Sequence, residues 1–115
     1  MRIIAKSTLK KFWEQPQYSD SQAPLESWHE EALKAMWTSP QAVKAHYGNA
    51  SICANNRVVF NIGGNKYRLV VEMQYRACIA WVKFIGTHEQ SAILIMAKTY
   101  PVSAFGEQAI RLSGL

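Results

Sequence analysis

Apolar residues recur at helical spacing in the first half of the chain and at alternate positions in the second half. An amphipathic helix over about 24–37 is predicted by apolar residues three or four positions apart: Leu25, Trp28, Ala32, Leu33 and Met36. Shorter patterns of the same kind predict helices over about 8–15 and 40–47. The last of these has Ser39 as its N-cap and Gly48 just beyond its end.

The spacing changes to a strand pattern after Gly48. Runs rich in β-branched and aromatic residues predict strands over about 51–54, 57–62, 65–75 and 78–85, in addition to a short strand over 2–5. Asn55–Asn56 and Gly63–Gly64 have the composition of turns. Helices followed by consecutive strands predict an α+β fold, with N-terminal helices packed on an antiparallel meander in one domain, 1–115.

The glycine pair Gly63–Gly64 suits a two-residue hairpin turn, because glycine readily adopts the positive φ that such turns require. This turn predicts Phe60 opposite Tyr67 and Val59 opposite Arg68. The whole register depends on the length of the turn, and a slip of one residue would exchange the two faces of the sheet.

A second tight turn, at Arg76–Ala77, predicts Glu72 opposite Trp81 and Val70 opposite Lys83. One face of the sheet then carries the apolar residues that would pack on the helices, namely Val58, Phe60, Tyr67, Leu69, Val71, Val82 and Phe84. The opposite face carries Arg57, Asn61, Lys66, Arg68, Glu72, Trp81 and Lys83.

This second face is either the solvated side of a sheet or a binding site. Lys66, Arg68 and Lys83 would repel one another unless an anion or an acidic partner lay between them. Trp81 among them offers a stacking surface for a base or an anchor for a protein. The net charge of +5 also favours a polyanionic or acidic partner without choosing between them.

Thr87 and Gln90 have the spacing of a capping box, which predicts that a helix begins at His88. If the strand pairing holds, His88 lies close to Lys66 and Arg68, where a histidine can serve as a general acid or base in phosphodiester chemistry. No nucleotide-binding or hydrolase motif is present, and the histidines lack the spacing of metal ligands. We therefore expect no metal and no cofactor.

Two cysteines, Cys53 and Cys78, are too few for a disulfide framework, and each falls in a predicted strand as a free, buried thiol. The apolar run 92–97 is too short to span a bilayer. A reduced, cytoplasmic protein that does not engage a membrane is the expectation.

The segments "VVFNIGGNKYRLVVEMQY" and "WVKFIGTH" resemble the HigB family of toxins from bacterial toxin–antitoxin pairs, within the wider RelE/ParE-like group. The upstream segments "LKKFWEQ", "LESWHEEAL" and "WTSPQAVK" are similar as well, so the resemblance runs from about residue 3 to His88. It implies N-terminal helices backing a curved antiparallel sheet.

The resemblance further implies a metal-independent mRNA endonuclease that cuts on translating ribosomes and is neutralised by a helix-turn-helix antitoxin. Operator DNA would be bound only through that antitoxin. Carried over by position, the motifs give four catalytic candidates: Arg68, Lys83, His88 and Lys66. The candidates for binding RNA are Arg57, Asn61, Asn65, Trp81 and Arg76.

The sequence departs from the family after His88. The family continues T-H-x-x-Y-D, but Ser91 stands at the position of the tyrosine, and 91–115 forms an atypical tail in which a helical stretch near 93–96 is expected. Two alternatives to cleavage therefore stay open. One is a non-catalytic module that binds an antitoxin or another protein target, and the other is an RNA-binding domain without cleavage.

Overall fold

The structure, a computed structural model, describes residues 1–90 and confirms an α+β fold. A short strand and the helices come first: β1 (Arg2–Ile4), α1 (Lys6–Trp13), a 3₁₀ helix (Pro16–Ser21), α2 (Gln22–Lys34) and α3 (Pro40–His46). The remaining strands follow: β2 (Ser51–Ile52), β3 (Arg57–Ile62), β4 (Tyr67–Gln74) and β5 (Ile79–Thr87). The predicted tail helix near 93–96 lies outside the described residues.

The five strands form one mixed sheet in the order β1-β5-β4-β3-β2. Strands β2 to β5 make the predicted antiparallel meander, whereas β1 pairs in parallel with β5 at the edge. The sequence pattern did not show this parallel pairing, because β1 and β5 are brought together by the intervening helices and not by a turn.

One face of the sheet packs against the helices. Leu9 and Phe12 of α1 and Leu25 and Trp28 of α2 join a single buried cluster with the inward-facing residues of β3, β4 and β5. At its centre the Phe60 ring meets Trp28 with the ring centroids 5.3 Å apart. Aromatic burial of this kind supplies much of the apolar area that stabilises a small domain.

Helix α3 begins as the sequence predicts. The Ser39 side chain accepts a hydrogen bond from the backbone N–H of Ala42 at 3.2 Å, and Pro40 occupies the first helical position. Helix α2 instead begins at Gln22 and ends at Lys34, so the predicted span of 24–37 was displaced toward the C-terminus.

The predicted two-residue turn at Gly63–Gly64 was wrong. The chain turns over four residues, 63–66, with Gly63 and Gly64 both at positive φ and the Lys66 N–H donating to the carbonyl of Gly63 at 3.4 Å. Phe60 therefore pairs with Leu69, and Val59 with Val70. Because the register moved by two residues and not by one, each side chain in the paired parts of β3 and β4 kept its predicted face.

The β4–β5 hairpin is partly as predicted. Glu72 does lie opposite Trp81, but Val70 lies opposite Phe84 and not Lys83, because a β-bulge interrupts the ladder between Val70 and Val71. A bulge puts an extra residue on one strand and resets the alternation beyond it. Phe84, predicted for the helix-facing side, consequently lies on the opposite side.

The two cysteines were also placed wrongly. Cys53 follows the end of β2, and Cys78 lies in the turn before β5 at a φ of 56°. Both thiols are free and half-buried, and neither belongs to a strand. The adjoining turn spans Tyr75 to Cys78, so it is longer than the tight turn at Arg76–Ala77.

Candidate functional site: the outer face of the sheet

The face of the sheet turned away from the helices, here called the outer face, carries Arg57, Val59, Asn61, Arg68, Val70, Glu72, Trp81, Lys83 and Phe84. Arg68 lies in its middle strand, directly between Asn61 of β3 and Gly86 of β5. This placement follows from the alternation of side chains along β4.

The Arg68 guanidinium folds back onto the turn that precedes it. Its Nη1 donates to the carbonyl of Asn65 at 2.9 Å and to the carbonyl of Tyr67 at 3.2 Å. Within residues 1–90 the guanidinium makes no ion pair and uses only this one nitrogen. The other N–H groups of its planar fork are therefore available to an anion.

The bulge brings Lys83 and Phe84, which are consecutive, to the same face. Lys83 Nζ lies 4.1 Å from the centroid of the Trp81 ring, a cation–π contact. Trp81 is 37% exposed, so part of its ring surface remains open to solvent. Lys83 makes no ion pair among the residues that the structure describes.

Arg57 forms an ion pair with Glu72, its partner directly across the ladder. The two side chains are only 12% and 26% exposed. Burial raises the pKa of the Glu72 carboxyl, but the hydrogen bond and charge of Arg57 and the charge of Lys83 outweigh it, and the pKa lies below its ordinary value. Arg57 is thus engaged within the protein.

Lys66 lies in the four-residue turn and not in β4, and its ammonium forms an ion pair with the carboxylate of Asp20. The other Asp20 oxygen accepts a hydrogen bond from the hydroxyl of Tyr67 at 2.6 Å. These hydrogen bonds hold the pKa of Asp20 below its ordinary value, and the bond to Asp20 raises the pKa of Lys66. Tyr67 itself is a core residue, as the alternation predicted.

His88 lies at the end of β5, where the preceding residue, Thr87, is paired with Tyr67. The predicted capping box is confirmed, because the Thr87 N–H donates to Gln90 Oε1 at 3.0 Å and the Gln90 N–H donates to Thr87 Oγ1 at 3.4 Å. Residues 88–90 are helical, and His88 is exposed. The register therefore sets His88 beside the start of β4, at the same end of the sheet as Lys66 and Arg68.

The structure brings some of the predicted residues close to Arg68 and leaves others apart from it. Val70 lies two positions after Arg68 in β4, about 7 Å along the strand. The bulge that carries Lys83 lies opposite Val70 on the neighbouring strand, β5. Asn61 lies next to Arg68, and Asn65 contributes its carbonyl to it. Arg76, in contrast, lies in the turn beyond the far end of β4, roughly 20 Å from Arg68 by strand length.

Sequence reasoning missed two features of this site. Asp20 is the acidic neighbour of Lys66, yet it lies in the 3₁₀ helix and no pattern links the two positions. The outer face also contains a small apolar patch, in which Val59 and Val70 are buried beneath Cys53 and Phe84. Burial raises the pKa of the Cys53 thiol. The bulge adds Phe84 to this patch, and a bulge leaves only a weak signal in the sequence.

Residues 1–90 contain neither a candidate metal site nor a candidate membrane span. No group of three or more His, Cys, Asp or Glu side chains is arranged so that it could hold a metal ion. In the same region no helix has both the length and the apolar character needed to cross a membrane.

The α+β fold carries a cationic face on one side of its sheet, and comparison with protein families assigns the class of protein. Residues 21–91 match the family HigB_toxin, described as the RelE-like toxic component of a toxin-antitoxin system. Since the match covers more than half of the chain, the protein belongs to this family and is the toxin of a toxin–antitoxin system. No match was found among curated proteins.

Proposed function

We propose that this toxin is an mRNA endonuclease that acts on translating ribosomes without a metal ion. The observation that supports it is the group of Arg68 and Lys83 on the outer face, two cations that no acid within residues 1–90 pairs with. Glu72, the acid that senses the charge of Lys83, is already paired with Arg57, so the outer face keeps an excess of positive charge. Such an excess favours an anionic ligand, and the phosphate backbone of RNA supplies one.

In the proposed reaction the 2′-oxygen of a ribose attacks the adjacent phosphorus atom, and the bond from phosphorus to the 5′-oxygen breaks. The products are a 2′,3′-cyclic phosphate and a 5′-hydroxyl, so no water or cofactor is consumed. Negative charge grows on the phosphoryl oxygens in the transition state. Donors that are fixed in place before the reaction stabilise such charge most effectively.

Arg68 is the best-placed donor for that charge. Its Nη1 is already held by the carbonyls of Asn65 and Tyr67, so the orientation of the guanidinium plane is set before RNA arrives. The free edge of the fork can then bind two phosphoryl oxygens at once.

Lys66 and Lys83 add positive potential on either side of Arg68 and hold the RNA backbone. His88, exposed at the end of β5, moves the proton between the 2′-hydroxyl, the leaving 5′-oxygen and solvent. A histidine suits this task because its ordinary pKa lies near neutrality.

The RNA-binding candidates differ in how they meet the ligand. Trp81 offers its open ring surface for stacking on a base, while Asn61 and Asn65 border Arg68. Arg57 contributes mainly its positive electrostatic potential and not a direct contact with RNA, since its side chain is buried against Glu72. Arg76 would reach only RNA that extends past the far end of β4.

A helix-turn-helix antitoxin is the proposed partner, and operator DNA is bound only through it. Membership of a toxin–antitoxin family supports an antitoxin as the partner. The basic outer face suits an acidic segment of that antitoxin as well as RNA. The toxin is proposed to act in the cytoplasm, where its ribosomal substrate is found.

The test is cleavage of a reporter mRNA on purified translating ribosomes, with transcript ends mapped by primer extension. Replacing Arg68 with Ala should slow cleavage about 100- to 1,000-fold, the range for loss of one fixed donor to a transition state. Arg68→Lys should lose less, because it keeps the charge but not the fork. Lys34→Ala, on the last residue of α2, is the matched control for an exposed cation and should cut normally.

The absence of new transcript ends with the parent protein would exclude the nuclease and favour a module that only binds. Cleavage by Arg68→Ala at the parent rate would show that the reacting phosphate lies elsewhere. New ends without a 5′-hydroxyl would contradict attack by the 2′-oxygen.

A further inference from the structure

The contact between Asp20 and Lys66 joins two parts of the chain that are far apart in sequence. Asp20 belongs to the 3₁₀ helix Pro16–Ser21, which is closed by a hydrogen bond from Ser21 Oγ to the carbonyl of Tyr18 at 2.6 Å. Lys66 ends the glycine-containing turn that leads into β4. The carboxylate of Asp20 therefore links the helical layer to the rim of the outer face.

Asp20 is held in place from the core side. Its Oδ1 accepts a hydrogen bond from the hydroxyl of Tyr67, a residue that is only 2% exposed. The Tyr67 ring packs edge-on against Phe12 and Tyr18, at centroid distances of 5.3 and 5.9 Å. Phe12 and Tyr18 are themselves stacked at 4.3 Å. A buried hydroxyl in a packed aromatic group is a firm anchor, so one carboxylate oxygen is fixed while the other faces Lys66.

The turn that Lys66 ends is closed by one long backbone hydrogen bond among the described residues. Gly63 and Gly64 both have positive φ, and the hydrogen bond from Lys66 N–H to Gly63 is long, at 3.4 Å. The same turn supplies the Asn65 carbonyl that orients the Arg68 guanidinium. Any change in the turn is therefore passed directly to the proposed phosphate-binding group.

From these contacts we infer that Asp20 is a positioning residue for RNA cleavage, which holds Lys66 and its turn so that Arg68 is correctly oriented. This inference rests on the proposed function. Asp20 does not touch the reacting atoms in this role, and it acts through Lys66. The hydrogen bonds from Lys66 and Tyr67 hold the pKa of its carboxyl below the ordinary value, so Asp20 is charged at neutral pH.

The same contact could have the opposite effect, in which Asp20 lowers the rate of RNA cleavage. Asp20 neutralises part of the Lys66 charge, and in that role its removal would release Lys66 for RNA and raise the rate. The two roles predict opposite signs, so the sign of the effect decides between them.

The first experiment measures single-turnover cleavage on programmed ribosomes. Asp20→Asn removes the charge but keeps an acceptor for Tyr67, and it should lower the rate at saturating ribosomes about two- to fivefold, the scale of one exposed ion pair. Asp20→Ala should lower it about tenfold, because the hydrogen bond from Tyr67 is lost as well. Glu14→Gln makes the same change in net charge at another exposed acid and should have no effect.

A double-mutant cycle tests whether Asp20 acts through Lys66. In a Lys66→Gln background, Asp20→Asn should change the rate by less than about 1.5-fold, because the group through which it acts is already gone. An undiminished effect in that background, or a faster rate for Asp20→Asn alone, would overturn the inference.

A second measurement does not depend on activity. Hydrogen exchange of peptides that cover residues 63–68 should become faster in Asp20→Ala than in Glu14→Gln. If the parent protein cuts no RNA, the proposed function fails, yet this comparison still decides whether Asp20 holds the turn. Equal exchange in the two variants would exclude the positioning role even in an active nuclease.

Discussion

The ion pair between Arg57 and Glu72 is a point on the outer face where a single charge contributes to stability. The two side chains are 12% and 26% exposed, so removing the acid would leave a largely buried guanidinium without its partner. Glu72→Gln should lower the free energy of unfolding by about 2 kcal/mol at neutral pH, somewhat less than for a fully buried pair. Urea denaturation followed by tryptophan fluorescence measures this.

The same pair predicts how stability depends on pH. The folded pKa of Glu72 is lowered from an ordinary value of 4.5, so its contribution is present above that value and is lost as pH falls through the folded pKa. The parent should therefore lose stability relative to Glu72→Gln as the pH falls below 4.5 and through the folded pKa. A constant difference across this range would mean that the pair contributes nothing through charge.

At the scale of elements, the end of β5 depends on Gly86. A Cβ atom at this position would lie 2.5 Å from Cζ of Phe84 and 2.5 Å from Oε1 of Gln90. Gly86→Ala should therefore push the Phe84 ring off the outer face and break the capping hydrogen bond to Thr87. We expect a loss of about 1–2 kcal/mol in the free energy of unfolding, typical of overpacking.

Gly48→Ala is the matched control for this prediction. Nothing lies within 4 Å of a Cβ built on Gly48, so the substitution should leave the midpoint of urea unfolding unchanged. Equal midpoints for Gly86→Ala and the parent would show that Phe84 and Gln90 move aside without cost.

The strands show which parts of an element can be predicted from sequence. Period-two alternation predicted the faces of Arg68 and Tyr67 correctly, because a register error of two residues leaves every side chain on its own face. The bulge after Val70 could not be predicted in this way, since one extra residue leaves only a weak pattern. Phe84 was therefore assigned to the wrong face, whereas Lys83, which precedes it, was assigned correctly.

At the scale of the whole molecule, sequence reasoning failed where distant segments meet. The parallel pairing of β1 with β5 and the contact of Asp20 with Lys66 both join segments that no turn connects. Local patterns carry no information about such contacts. They depend on how the helices pack on the sheet, which is decided by the shape of the shared core.

The net positive charge of the chain leads to a prediction about salt. Affinity for a single-stranded RNA oligonucleotide with 2′-O-methyl riboses, which cannot be cut, should fall steeply between about 50 and 200 mM KCl as counterions are released from phosphates. Each lysine that contacts a phosphate should contribute about 0.7 to the slope of log affinity against log salt. Fluorescence anisotropy measures both quantities.

The slope of log affinity against log salt shows whether RNA contacts the outer face or the remaining basic surface. Lys83→Gln should reduce it by about 0.7, because Lys83 makes no ion pair within residues 1–90 and lies on the same face as Arg68. Lys11→Gln makes the same charge change on α1, in the helical layer on the other side of the sheet, and should leave the slope unchanged. Equal reductions by both variants would mean that RNA senses only the total charge and not the outer face.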